Sequence, residues 1–296
     1  MGSTIFAVFL PLALALVMFG LGLTLTVDDF ARVLRYPKAA AVALVCQMVV
    51  LPAICLGLVY LYRLEGALAV GVMLLVASPG GPSANLFSHI AGGNVALNIT
   101  LTAINSIIAV FTLPLVVTLA FTLFMDDDAT IGLRPDKFIQ VFAIVLVPVV
   151  LGMWVHRRFT AWAERMRKNV KIVSAVVLLL VVVAAVGREF DTLTENIGKL
   201  ATLSLLLSTL SFVIGYTVPR LFRVQADQAI ASAMEIGIHN GALAIAVASS
   251  VLHNSQMAVP PAVYGVLMNI PAAIAAYLLA RRIRQDAPTP VSAAAD

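Results

Sequence analysis

The chain has 296 residues, 61% of them hydrophobic and 11% charged, and carries a net charge of +4. This balance excludes an ordinary water-soluble domain and makes lipid the solvent of the fold. The basic residues are accounted for by membrane topology, as set out below, which leaves no patch for nucleic acid.

Nine apolar segments recur along the chain, at roughly 4–26, 39–62, 66–91, 94–124, 138–158, 169–187, 199–219, 227–252 and 261–280. Each is close to the ~20 residues that a helical crossing needs. Helices are required, because an isolated strand in hydrocarbon leaves its amides unpaired, and the alternation of a membrane barrel is absent. The expected fold is all-α: one polytopic membrane domain over residues 1–296 with about nine transmembrane helices and no soluble insertion.

The first segment has no Lys or Arg before it and is too long for a signal core, so it is expected to stay in the mature protein. The second carries Gln47 at depth; its Cys46 and Cys55 stand about 13 Å apart along a helix, too far to bridge. In the third, Ser78-Pro79-Gly80-Gly81-Pro82-Ser83-Ala84-Asn85 sets two prolines, which lack an amide donor, around a glycine pair, so the helix unwinds. The fourth presents Asn98, Thr102, Asn105 and Ser106 at i, i+4, i+7 and i+8, a polar stripe on an apolar helix. Hydrogen bonding between helices accounts for many such stripes. After the acidic run Asp126, Asp127 and Asp128 come three more segments, interrupted most widely between Arg157 and Lys171. The eighth contains Met234-Glu235-Ile236-Gly237-Ile238-His239-Asn240-Gly241, whose polar groups and glycines argue against a continuous helix. His89, His156 and His253 lie near segment ends and are read as solvated, and the Ala- and Pro-rich tail 285–296 as disordered.

Lys and Arg in short loops are retained on the cytoplasmic side. With the N-terminus outside, 14 of the 19 basic residues fall on the inner side, around 32–38, 157–171, 220–223 and 281–284. An odd number of crossings then puts the C-terminus in the cytoplasm, and a multi-pass inner (plasma) membrane protein is expected.

Of the 15 acidic residues, Glu235 alone lies deep in an apolar segment. Counted from Gln225 it is about 15 Å into a hydrocarbon core about 30 Å thick. A carboxylate there costs about +2.5 to +3.5 kcal/mol on translocon-type scales, and no Lys or Arg within a segment can pair with it. Three states answer that cost: a protonated side chain bonded between helices, a transported proton, or a bound cation. A hard cation takes several oxygens, which the carboxylate, amides, a hydroxyl and carbonyls freed by the breaks would supply. A soft metal would want clustered Cys and His, which are missing.

The two breaks also occupy matching places. One lies in the third of four segments before the acidic loop and the other in the fourth of five after it, each followed by one more crossing. Residues 138–280 therefore read as a five-helix repeat, and 4–124 as the same repeat without its first helix. Five crossings reverse direction, so the repeats are inverted and their discontinuous helices cross at the midplane.

At these residues the chain resembles the bile acid:sodium symporter family over essentially its whole length. Pro79-Gly80-Gly81 through Asn85, Gly93-Asn94-Val95-Ala96-Leu97, and Glu235-Ile236-Gly237 through Asn240 match in order and spacing. The resemblance implies a core bundle with two crossed broken helices, a panel of flanking helices, and two sodium sites, in a form lacking the first helix of ten-helix bacterial members. It implies that Asn85, Asn98, Thr102 and Glu235 form the first sodium site, with Asn98 where a serine often lies. The second would use Glu235, Gln47, the carbonyls of Ile236 and Ile238, and the side chain of His239. Pro82, Ser83, Asn240 and Asn269 would face the substrate. Two residues depart from the pattern: His239 stands at a glutamine position, and Ala84 at a serine whose hydroxyl helps hold sodium. A protonated His239 would repel sodium, so coupling is expected to fall at low pH.

The function this implies is secondary active transport: symport of Na+, about two ions, with a small organic anion of the bile-acid, keto acid or pantoate class, by a monomer. With no basic residue in the membrane, the anion relies on sodium and on the positive ends of half-helices. Proton coupling on the same fold is the leading alternative. A channel is disfavoured because the lone carboxylate has no ring of partners, and a substrate sensor is separable only by flux. No Ser/His/Asp, HExxH or paired-carboxylate arrangement within the segments suggests an enzyme, and no organic cofactor is expected.

Overall fold

The structure is a computed structural model describing residues 12, 15–81, 83–125 and 135–286. Among them every regular element is helical, and the β content is one isolated antiparallel bridge between Gly80 and His239.

The first described helix, α1, covers 15–22 and is followed by the short α2 (Val27–Ala31). The first helix thus ends before the predicted boundary at 26. The Asp29 carboxylate there accepts from the Thr26 amide and hydroxyl and pairs with Arg32 at 2.7 Å. α3 (Pro37–Val45) and α4 (Leu51–Leu61) are joined by a π turn over Cys46–Val50. Pro52 accounts for it: with no amide at that position the ladder is interrupted, and the Leu51 amide bonds back to the Cys46 carbonyl. Gln47 lies in this turn.

α5 (Gly66–Ala77) and α6 (Ala84–Ile90) are the halves of the third segment, parted where the Pro-Gly pattern predicts. α7 (Val95–Phe124) starts on an Asn94 cap whose Oδ1 accepts from the Leu97 amide at 3.0 Å. It bends by 56° between Ala109 and Phe111, one turn before Pro114, which offers no amide to the carbonyl four residues back. α8 (Pro135–Arg158), α9 (Thr160–Arg188) and α10 (Phe190–Leu221) outrun the apolar segments that predicted them. Most of the interruption between Arg157 and Lys171 is helix, because Ala, Glu, Arg and Lys are good helix formers and no Gly or Pro intervenes. α11 (Ala226–Gly237) and α12 (Gly241–Ser250) are the halves of the eighth segment, and α13 (Val259–Leu267) and α14 (Asn269–Asp286) make up the ninth. The acidic run at 126–128 and tail residues 287–296 lie outside the described residues.

Among the described residues, Pro37–Leu61, Phe190–Leu221 and Gln256–Arg282 are long and apolar enough to cross a membrane, as is Val95–Phe124 when its two arms are taken together. Outward faces carry exposed Val150 and Leu151 on α8, Leu179 and Val183 on α9, and Ile274 and Leu278 on α14, as lipid-facing helices do. The second broken helix is different: every residue from 229 to 241 is buried. α10 packs along α11, and α5 along α7, so both discontinuous helices are walled by continuous ones. α1 and α8 meet through Gly22 and Gly152, each lying against the other's backbone.

Two turns have the same form. α4 ends in Leu61-Tyr62-Arg63-Leu64 and α10 in Leu221-Phe222-Arg223-Val224, with Arg63 and Arg223 left-handed at φ 49° and 59°. The amide after each arginine reaches back five residues, Leu64 to the Val59 carbonyl at 3.0 Å and Val224 to that of Pro219 at 2.9 Å. This is a Schellman-type closure. Each leads into the first half of a broken helix, and α5 and α11 are both 12 residues long.

Candidate functional site

The two breaks satisfy one another. The Gly81 amide donates to the Ile238 carbonyl at 2.6 Å, and the Asn240 amide donates to that of Pro79 at 2.9 Å. Unwound backbone inside an apolar protein needs such partners, since water is not there to supply them. The last turns of α5 and α11 and the first turns of α6 and α12 converge here. Asn240 Oδ1 accepts from the Leu243 amide at 3.0 Å and caps α12.

Glu235, on the last turn of α11, is fully buried at this crossing. Its Oε1 accepts from the Gly80 amide at 3.2 Å and from Asn105 Nδ2 at 2.9 Å; Oε2 lies 2.6 Å from Thr102 Oγ1. Gly80 is required by that approach, because a Cβ would run into the carboxyl group. All three partners are neutral. Asp29, the other buried carboxylate among the described residues, has Arg32 beside it.

Side-chain oxygens without partners accompany this carboxylate on the surrounding elements. Gln47 Oε1, Asn85 Oδ1, Asn98 Oδ1 and Asn105 Oδ1 are buried and accept no hydrogen bond among the described residues. In three of the four the amide nitrogen is anchored: Asn98 Nδ2 on the Ala231 carbonyl at 2.8 Å, Gln47 Nε2 on that of Ser78 at 3.3 Å, and Asn105 Nδ2 on Glu235. Buried acceptors left empty cost about 1–3 kcal/mol each. Oxygens of this kind are the ligands that a hard cation takes. A small pocket between the π turn and α7 is lined by Gln47, Ser78, Pro79, Asn105 and Thr112.

The sequence profile described as the Sodium Bile acid symporter family matches residues 11–196. The chain belongs to that family. The uncharacterized sodium-dependent transporter YocS of Bacillus subtilis is 27% identical over 278 residues, 94% of this chain and 84% of its own. The probable chloroplastic sodium/metabolite cotransporter BASS2 of Oryza sativa is 29% identical over 255 residues, 86% of this chain and 60% of its own. Sodium/bile acid cotransporter 4 of Homo sapiens is 25% identical over 266 residues, 89% and 59%. The chain therefore spans most of the bacterial relative and about three fifths of the plant and mammalian ones. These symporter-family relatives are transporters, not enzymes.

The structure brings part of the set implied by the symporter family together. Where α7 packs on α11, Thr102 bonds Glu235 directly and Asn98 bonds the Ala231 carbonyl one turn earlier on α11. Asn85 stands in the first turn of α6, half-buried, with its Oδ1 unpartnered. Ile236, Ile238 and His239 are buried at the break, and the Ile238 carbonyl, already engaged by Gly81, keeps a second lone pair. Ser83 precedes α6, and Pro82 lies outside the described residues. Asn240 is buried with its side-chain oxygen engaged as a cap. Asn269 is exposed, its Nδ2 on the Gly265 and Val266 carbonyls, at the start of the helix that packs on α6. Two residues at the site lie outside the set that the resemblance implies. Asn105 touches the Glu235 carboxylate directly, and the polar stripe it shares with Thr102 is the sequence signal for it. Tyr264 contacts His239 at 3.0 Å, and a single phenol in an apolar segment gives no such signal.

Proposed function

We propose that this chain is a sodium-coupled symporter that moves a small organic anion into the cell. The observation that carries the reading is Glu235, a fully buried carboxylate held by three neutral donors and accompanied by unpartnered side-chain oxygens. A cation between them would compensate the charge and fill the empty acceptors. Two sodium ions, one near Asn85, Asn98 and Thr102 and one near Gln47 and His239, both within reach of Glu235, would bring two positive charges with each monoanion. The anion would be bound at Ser83, Asn240 and Asn269, with Pro82 carried over from the family resemblance alone. Keto acids, pantoate and bile-acid-like molecules are the candidate classes, in line with the metabolite and bile acid cotransport named for relatives.

In this reading nine crossings form two inverted repeats, supported by the matching turns at Arg63 and Arg223 and by the antiparallel pairing of the two breaks. α1, α8 and α9 form a panel against a core built from the remaining long helices. The N-terminus lies outside, the C-terminus in the cytoplasm, and one chain is the transporting unit.

One observation favours a second reading, proton coupling at the same carboxylate. The Thr102 hydroxyl lies 2.6 Å from Glu235 Oε2 and 3.1 Å from the Asn98 carbonyl, and its single proton serves only one of them. A proton on Oε2 would put one in each contact. Uptake of an organic-anion panel into proteoliposomes, with sodium replaced by choline at fixed pH, separates the two. The sodium reading predicts uptake that vanishes in choline and accelerates under an inside-negative, valinomycin-imposed potential. Uptake undiminished in choline and driven by a pH gradient would establish the proton reading instead.

A further inference from the structure

His239 is the residue at which this chain departs from the glutamine of the family pattern, and an imidazole is a different ligand from an amide. A glutamine always has an acceptor oxygen to offer. A neutral histidine offers an acceptor only at the ring nitrogen that carries no proton, so its usefulness to a cation depends on which nitrogen that is.

The proton positions follow from the contacts. His239 Nδ1 lies 3.0 Å from Tyr264 Oη, and Tyr264 Oη lies 3.1 Å from the Gly237 carbonyl oxygen. Gly237 is the last residue of α11, where carbonyls lose their helical partners, and a carbonyl can only accept. Tyr264 has one proton. If it went to Nδ1, the phenol oxygen and the Gly237 oxygen would face each other with no proton between them. Only one arrangement places a proton in both contacts: Tyr264 donates to Gly237, and Nδ1–H donates to Tyr264. His239 Nε2 then bears a lone pair. That atom is buried and has no partner among the described residues.

The phenol is well held for this task. Tyr264 is buried, on a helix whose first turn holds Pro260 and Pro261, and its ring stands edge-on to the imidazole, centroids 5.3 Å apart and planes at 86°. The hydroxyls of Ser208 and Ser211 on α10 lie beside it.

We propose that Tyr264 is a positioning residue for ion binding: it locks His239 as the Nδ1–H tautomer and so presents Nε2 as a ligand to the coupling cation. The role rests on the sodium-coupled reading above. It gives the histidine the acceptor that a glutamine has by construction, through a phenol 25 residues further along the chain. In other metal sites, loss of a group that orients a ligand histidine costs roughly 10- to 100-fold in affinity.

Two measurements test this. Nitrogen NMR of ring-labelled histidine in the purified, sodium-free protein at neutral pH, with His239 assigned from His239→Gln, should show Nδ1 protonated and Nε2 bare. An Nε2–H tautomer or a doubly protonated ring overturns the proposal. Radiolabelled-sodium binding to four proteins then closes a cycle: wild type, Tyr264→Phe, His239→Gln and the double variant. Tyr264→Phe alone should weaken binding roughly 10-fold or more, and in the His239→Gln background it should change affinity less than two-fold. Equal losses in both backgrounds would make Tyr264 a packing residue and overturn its positioning role. If the wild type binds no sodium, the ion-coupled reading itself fails, and the tautomer measured by NMR still stands or falls separately.

Discussion

Glu235 is held by three donors from two stretches of chain: the Gly80 amide of the first break, and the Thr102 and Asn105 side chains one turn apart on α7. A carboxylate at mid-membrane depth announces itself in sequence because it is costly, and so do the Pro-Gly and Gly-rich breaks. The partner that completes the set is harder to read, since choosing Asn105 from its stripe requires the rotation of α7 against α11. Tyr264 is illegible for a plainer reason: its contacts to Gly237 and His239 are long-range, and nothing local distinguishes a bonded phenol from a packed one. Asn105→Ala removes one donor to the carboxylate and one empty acceptor together. It is expected to lower stability by about 1–3 kcal/mol and to weaken sodium-dependent uptake; unchanged thermal unfolding and unchanged sodium dependence would show that this contact is incidental.

At the scale of elements, the halves of each broken helix are where the sequence puts them, because proline and glycine act locally. The π turn before Pro52, the bend in α7 and the helical start of α9 depend on which hydrogen bonds the chain makes instead, and hydropathy does not report those. Glycine at 80 lets the first break approach the carboxylate of the second. Gly80→Ala is therefore expected to force the crossing apart and abolish uptake. Gly198→Ala is the control: an added Cβ meets nothing within 4 Å there, and relief of the helix penalty of glycine should stabilise by about 0.5–1 kcal/mol. Full uptake by Gly80→Ala in thermally stable protein would contradict the close packing of carboxylate and backbone.

For the molecule as a whole, composition alone excludes a soluble fold, and basic-residue asymmetry gives only an expected orientation. Both breaks meet in one antiparallel contact, and the matching turns at Arg63 and Arg223 each lead into a half-helix of the same length. Such an arrangement buries one carboxyl group among neutral groups, and its free energy depends on what joins it. A bound ion stabilises the folded state by an amount that grows with its concentration, about 2.7 kcal/mol at a hundred times its dissociation constant. The most direct test is equilibrium binding of radiolabelled sodium to the purified protein, wild type against Glu235→Gln, a change that keeps the side chain's shape and removes its charge. Saturable binding in the wild type that disappears in a folded Glu235→Gln protein is the predicted result; equal binding by both would contradict a sodium ion held by this carboxylate.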